Sequence, residues 1–219
     1  MGETCTRERI LRCACRLFAE KGFRDTTVAE ICAEAKANIA AVNYHFGAKD
    51  RLYRAVWQHT HALTDSAYPV PELDVELPEI WLRALIRSRV LAILDEGPNG
   101  WFLKLVAHEM PHPSPIFGEL RDAYLRPGRQ KLETAIAALL GANATARHVQ
   151  CGMANVLSLY AFLNARRRVG GGALCRRGLA GNQAEPIAAQ VAEFALAGLR
   201  GVRAWMEAGA PSEAERERV

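Results

Sequence analysis

Apolar residues near the start of the chain recur at helical intervals. Ile10, Leu11, Ala14, Leu17 and Phe18 fall along one side of a helix predicted over 6–20, and Gly22 closes it. The next periodic segment, 28–35, opens with Thr27 and Glu30 at capping-box spacing, where each side chain satisfies a free backbone N–H. Lys36-Ala37-Asn38 predicts a tight turn, with Asn38 placed to cap a third short helix, IAAVNYHF, that Gly47 stops. A fourth helix is predicted over about 49–66, with Leu52, Val56, His59 and Leu63 on one face and Asp50 near its positive end. The segment YPVPELDVELP (68–78) interrupts the periodicity.

Beyond it the pattern predicts helices at 79–96, 101–109, 115–140, 145–165 and 185–208. Gly97-Pro98-Asn99-Gly100, Pro111 with Pro113, and Gly170-Gly171-Gly172 separate most of them. The last has the strongest period, carried by Ile187, Val191, Phe194, Ala195, Gly198, Val202 and Trp205. Residues 211–219, PSEAERERV, are expected to form a flexible charged tail. Alternating β-type runs and internal repeats are missing, so the expected fold is all-α with about nine helices. The Pro-rich break suggests a small head at 1–50, a connector helix at about 49–66 and a larger body at 67–210.

Composition narrows the class. Of 219 residues, 50% are hydrophobic and 24% charged, with a net charge of +4. Residues 1–60 hold ten Lys/Arg against seven Asp/Glu, and the remainder eighteen against seventeen. The surplus therefore sits in the head, where a nucleic-acid-binding module needs it. Arg12 and Arg16 interrupt the first apolar stretch, so no secretory signal is read, and no apolar run approaches the ~18 residues of a membrane span. Cysteines 5, 13, 15, 32, 151 and 175 lack C-x-x-C spacing and read as reduced packing residues of a cytoplasmic protein.

Two motifs suggest chemistry. His108-Glu109-Met110-Pro111-His112 fits H-E-x-x-H, in which two His on one helical face bind zinc and the Glu is the general base. Pro111 lacks an N–H and disfavours helical geometry at Met110, so the two His should diverge and zinc hydrolysis is disfavoured. No metal and no cofactor are expected. The second motif is the arrangement of the first four helices, a helix-turn-helix whose second paired helix enters the major groove. Ala40 and Ala41 allow close approach to bases, and Asn43 can contact adenine with two hydrogen bonds. Tyr44 and His45 reach base edges or phosphates, while Val42 and Phe46 face the head's own core. Thr27 and Lys49 are placed to hold phosphates. On spacing alone, packing accounts for Tyr44 and His45 as well as DNA contact does.

The stretch from Arg7 to about Trp57 resembles the N-terminal domain of the TetR family of bacterial transcriptional repressors. The likeness lies in Leu17-Phe18-Ala19-Glu20-x-Gly22-Phe23, Thr26-Thr27-Val28-x-x-Ile31 and Tyr44-x-Phe46-x-x-Lys49-x-x-Leu52-Tyr53. Asn38-Ile39-Ala40-Ala41 with Phe46-Gly47, and an HEM-x-x-P-like segment in the body, resemble the CecR branch. Lys36 stands where the family usually has Gly, Asn43 where it often has Tyr, and Ala48 where a capping Ser is common.

The resemblance implies a homodimer joined through the last two long helices, with Val191, Phe194, Ala195, Gly198 and Val202 at the interface. It implies a palindromic double-stranded DNA operator, released when a small molecule binds the body. Trp101, Phe102, Phe117, Tyr124, Met153 and Tyr160, with His108, Glu109 and Asn155 as polar groups, are the candidate lining of an effector pocket for an apolar or aromatic ligand. A DNA-binding protein without a ligand is the remaining alternative.

Overall fold

The computed structural model describes residues 2–168 and 184–208, and among them every regular element is helical. In chain order these are α1 (Gly2–Asp25), α2 (Val28–Glu34), α3 (Ile39–Phe46), α4 (Lys49–Ala67), α5 (Pro78–Leu94) and α6 (Trp101–Glu109). Then α7 (Phe117–Leu120) runs through a π-helical stretch, Arg121–Leu125, directly into α8 (Arg126–Leu140). α9 (Ala146–Arg168) and α10 (Ala184–Glu207) complete the series. With the continuous run from α7 to α8 taken as one rod, the described residues form nine helices, as the periodicity predicts. The expected Gly170-Gly171-Gly172 break, Cys175 and the 211–219 tail lie outside the described residues, as does the Cys5 side chain.

The chain packs as two compact units, one of residues 1–69 with 91–127 and the other of 70–90 with 128–219. The first unit is built on α1 and α4. Ile10, Ala14, Leu17 and Phe18 of α1 are buried as their spacing requires, and Cys15 joins them. Gly22, at φ +81, ends the regular α1 geometry in the left-handed region that glycine tolerates best. The Thr26 hydroxyl then donates to the Gly22 carbonyl at 2.8 Å, which folds the chain back towards α2.

Leu52 and Val56 are buried as their spacing predicts, but the rest of the buried side of α4 differs from the expected one. Leu52, Tyr53, Val56, Trp57, Thr60 and Thr64 point inward, whereas His59 is exposed and Leu63 half-buried. Two polar residues can face the core because their hydroxyls are satisfied there. Thr60 donates to the Val56 carbonyl at 2.8 Å, and Thr64 to the Asn99 carbonyl at 2.6 Å.

In the second unit α5, α8, α9 and α10 supply the core. Ala188, Ala192, Ala195, Leu196 and Leu199 form the buried side of α10. The periodic stripe of α10 is therefore split. Ala195 is buried, Val191 and Val202 are half-buried, and Gly198 and Phe194 are exposed, Phe194 at 70%. Arg83–Glu193, Arg87–Glu185 and Arg200–Glu79 ion pairs join α5 to α10. They are solvent-exposed, so each contributes at most about 1 kcal/mol.

Between α5 and α6 the chain turns at Gly100, which is buried although nothing in its φ requires glycine. A Cβ there would run into the backbone oxygen of Asp95 and stand 2.7 Å from that of Ala92. Backbone cannot yield as a side-chain tip can. Gly100→Ala is therefore expected to destabilise the protein by about 1–3 kcal/mol, read as a lower thermal unfolding midpoint. An unchanged midpoint would show that this turn is not tightly packed.

Candidate nucleic-acid interface

The two paired helices are held at their ends by the caps the sequence predicts. The Thr27 hydroxyl accepts from the Glu30 N–H at 3.2 Å, and a Glu30 carboxylate oxygen accepts from the Thr27 N–H at 2.9 Å. Lys21 pairs with Glu30 at 2.8 Å, and Arg16 bridges Glu20 and Glu34, so α1 and α2 are tied along their exposed sides. Lys21, the Thr27 N–H and the Thr27 hydroxyl together hold the Glu30 carboxyl down at about 2, against an ordinary value of 4.5. At the other helix the Asn38 Oδ1 accepts from the Ala41 N–H at 2.8 Å, making Asn38 the N-cap of α3. Ala48 caps α4 without any side-chain hydrogen bond, consistent with the missing Ser.

The turn between α2 and α3 contains Lys36 at φ +47, the one described non-glycine residue in the left-handed region. A β-carbon there costs on the order of 1 kcal/mol relative to glycine. Backbone and side-chain bonds offset that cost. The Ala37 N–H donates to the Cys32 carbonyl at 2.9 Å, and Arg9 of α1 donates to the Ala35 carbonyl at the negative end of α2.

With both ends fixed, α3 has two distinct faces. Val42 and Phe46 are buried, and the Arg7 guanidinium stacks over the Phe46 ring at 5.2 Å. Ile39, Ala40, Asn43 and Tyr44 face outward, Tyr44 at 74% exposure, and Ala41 and His45 are half-exposed. Tyr44 and His45 meet edge to face at 5.0 Å, so the pair presents one shaped aromatic corner. Lys49 lies further in than expected. Its ammonium sits 4.2 Å over the Phe23 ring, and desolvation lowers its pKa. Lys36, in the turn before α3, and Arg51, whose guanidinium lies over Gly47 at the end of α3, are further exposed cations, which no motif marks for phosphates. Their signal was only their position, one in the turn and one in the first turn of α4.

The candidate effector residues separate. Phe102, Phe117 and Tyr124 converge on Trp57, with ring centroids 5.3, 6.3 and 6.0 Å away. His61 joins them at 4.8 Å from Phe102 and 5.2 Å from Tyr124. Neither Trp57 nor His61 lies on the stripe that the period predicts for α4, Leu52, Val56, His59 and Leu63, so the hydrophobic pattern does not point to them. Trp101 is half-buried at the start of α6. Met153, buried, and Asn155, exposed, belong to α9 in the other compact unit. The Tyr160 side chain lies outside the described residues. His108 is half-buried and packs against Gly22, and Glu109 is buried with its carboxylate bonded to the Tyr53 hydroxyl.

The zinc-type motif lacks the helix it needs. α6 ends at Glu109 and His112 is exposed beyond it. Met110 nevertheless keeps helical angles, φ −60 and ψ −49, contrary to the expectation from the following proline. Among the described residues no three His, Cys, Asp or Glu side chains are grouped to hold a metal, and no helix is long and apolar enough to cross a membrane.

Comparison with known proteins agrees with this geometry. Residues 10–56 match the profile of bacterial regulatory proteins of the tetR family. Residues 78–202 match the C-terminal domain of the HTH-type transcriptional dual regulator CecR. The chain is 35% identical over 81 residues to the HTH-type transcriptional repressor NicS of Pseudomonas putida, covering 37% of this chain and 38% of that protein. It is 29% identical over 150 residues to CecR of Shigella flexneri, covering 63% of this chain and 66% of that one. The chain thus spans less than two thirds of the length of either curated relative. The crystal structure of a TetR-family transcriptional regulator from Streptomyces coelicolor superposes with a TM-score of 0.56 at 21% identity, covering 91% of this chain and 95% of that one. At that identity the likeness concerns the fold.

Two outcomes follow for the head. Lys36→Gly is expected to raise stability by about 1 kcal/mol, measured by thermal unfolding, because glycine pays no β-carbon penalty at this φ. Glu30 has a folded pKa below its unfolded value, so its contribution is complete above about 4.5 and disappears as pH falls towards about 2. The difference in urea midpoint between the wild type and Glu30→Gln should therefore shrink across that window. A difference that stays constant would mean that the carboxylate's bonds to Lys21 and Thr27 add no stability.

Proposed function

The chain belongs to the TetR family of bacterial regulatory proteins, in the CecR-like branch, and from that premise we propose that it is a DNA-binding transcriptional regulator. One observation carries the proposal. The α3 helix is capped at its start, anchored by two buried residues, and otherwise exposed along Ala40, Asn43 and Tyr44. A short helix with a rigid base and small or hydrogen-bonding residues outward can enter a major groove. Asn43 reads adenine, Ala40 and Ala41 contact thymine methyls, and Tyr44 and His45 contact base edges or phosphates. Thr27, Asn38 and Lys49, with the exposed Lys36 and Arg51, fix the register on the phosphates.

The regulator acts as a homodimer. Phe194, Gly198 and the half-buried Val191 and Val202 form an apolar stripe on α10 that its own protomer leaves open, and a second copy related by a two-fold axis would cover it. Two recognition helices then meet half-sites of a palindrome about 34–36 Å apart. Repression is the proposed outcome, in keeping with the name of the relative NicS. The proposed effector is an apolar or aromatic small molecule held near the Trp57, Phe102, Phe117 and Tyr124 rings, and the site of action is the cytoplasm. An effector changes DNA affinity only if it binds the two states of the dimer unequally.

Asn43→Ala and Tyr44→Ala, measured on the DNA flanking the protein's own gene, are the direct test. Loss of the Asn43 contact is expected to cost about 1–3 kcal/mol of base discrimination. Wild-type affinity in both variants would remove α3 from the DNA-contacting surface. Phe194→Glu should in turn shift the protein from dimer to monomer in sedimentation, and an unchanged dimer would exclude this stripe as the interface.

A further inference from the structure

The described site leaves one buried acidic side chain without a task. Glu109, the last residue of α6, is 1% exposed. Its Oε1 accepts from the Tyr53 hydroxyl of α4 at 2.8 Å, and its Oε2 accepts from the Ser114 N–H at 2.7 Å. Both oxygens are thus engaged, one by the connector helix α4 and one by the chain that follows α6. Pro111 and Pro113 turn that chain back sharply enough for Ser114 to reach Glu109.

The same segment touches the head and α4 at three more points. His108 lies over Gly22, where a Cβ would stand 3.0 Å from its Nδ1. Arg24 donates to the Pro113 carbonyl at 3.4 Å, and Arg54 of α4 pairs with Glu119. The two arginine contacts are exposed and weak on their own. The Glu109 bonds are buried, and separating their partners would leave polar atoms unsatisfied away from water. Gly22 is the residue whose carbonyl holds Thr26, immediately before the α2 capping box. Residues 108–119 therefore bear at once on the turn that starts α2 and on α4, the helix that follows α3.

We propose that Glu109 is a positioning residue for DNA binding: by joining Tyr53 to Ser114 it seats residues 108–119 on the head and sets the stance of the recognition helices. The inference rests on the regulator reading above. It assigns the H-E-M-P-H motif a mechanical role in which the Glu works without metal or substrate, through Tyr53.

The test compares the full-length wild type, Tyr53→Phe and Glu109→Leu on duplexes carrying the site footprinted upstream of the gene. In each duplex the centre of the site is kept, or lengthened or shortened by one or two base pairs. A purely structural role lowers the active fraction and weakens binding to every duplex equally. A positioning role changes the ranking of the spacings. Tyr53→Phe removes one hydroxyl and keeps the ring, so it should fold and dimerise as the wild type does. Its preference for the native spacing is expected to fall at least about fivefold, the lower end of ordinary coupling between sites. Glu109→Leu should show the same change or a larger one, and if it fails to fold, Tyr53→Phe decides alone. A wild-type ranking of spacings in Tyr53→Phe would overturn the positioning role and leave the regulator reading standing. Failure of the wild type to protect any upstream DNA would overturn both.

Discussion

A phenol and a carboxyl meet in the core of the first unit, and much of its architecture follows from their meeting. Tyr53 is fully buried, with its ring 4.8 Å from that of Phe18 and 4.9 Å from that of Phe23. Aromatic area of this size stabilises a core only if the hydroxyl also finds an acceptor. Glu109 supplies it, and burial beside that carboxyl pushes the Tyr53 pKa up. From Tyr53 the aromatic packing continues through Trp57 to Phe102, Phe117 and Tyr124. The helices that carry α3 therefore share one core with α6 and α7, which is why residues 91–127 fall in the same compact unit as 1–69.

The local signals in the sequence led to the right local structures. Thr27 with Glu30, and Asn38 before an apolar run, describe caps whose geometry involves only neighbouring residues, and both form as read. Val42 and Phe46, four apart, could be assigned to the buried face of α3 by period alone. On α4 the period identifies Leu52 and Val56 but not the rest of the inward stripe, which includes Thr60 and Thr64, whose polarity hides them from a hydrophobic pattern. Their acceptors, the Val56 and Asn99 carbonyls, become visible only when the chain is folded, and one of them is distant in sequence. For Glu109 the sequence suggests a zinc-motif base or a polar group of a pocket, whereas its bond to Tyr53 is a contact distant in sequence that no local pattern carries.

At Lys36, where the family usually has Gly, neighbouring groups support the turn. Lys36 holds a backbone angle suited to glycine, and Arg9 from α1 caps the carbonyl end of α2 just before it. The Lys49 ammonium is drawn over Phe23, while Arg51 and Lys36 keep cations at the surface. The outcome is a small head in which charged side chains hold helices together while other cations stay exposed. The exposed part of α3 remains available because none of the holding contacts uses it.

The central claim is that this exposed face of α3, presented twice by a dimer, reads DNA. Hydroxyl-radical footprinting of the wild-type protein on the region upstream of its gene tests it most directly. The account predicts two protected patches on one side of the duplex, centred about 10–10.5 base pairs apart and related by a palindrome. A single unpaired patch, or no protection at any protein concentration at moderate salt, would contradict it.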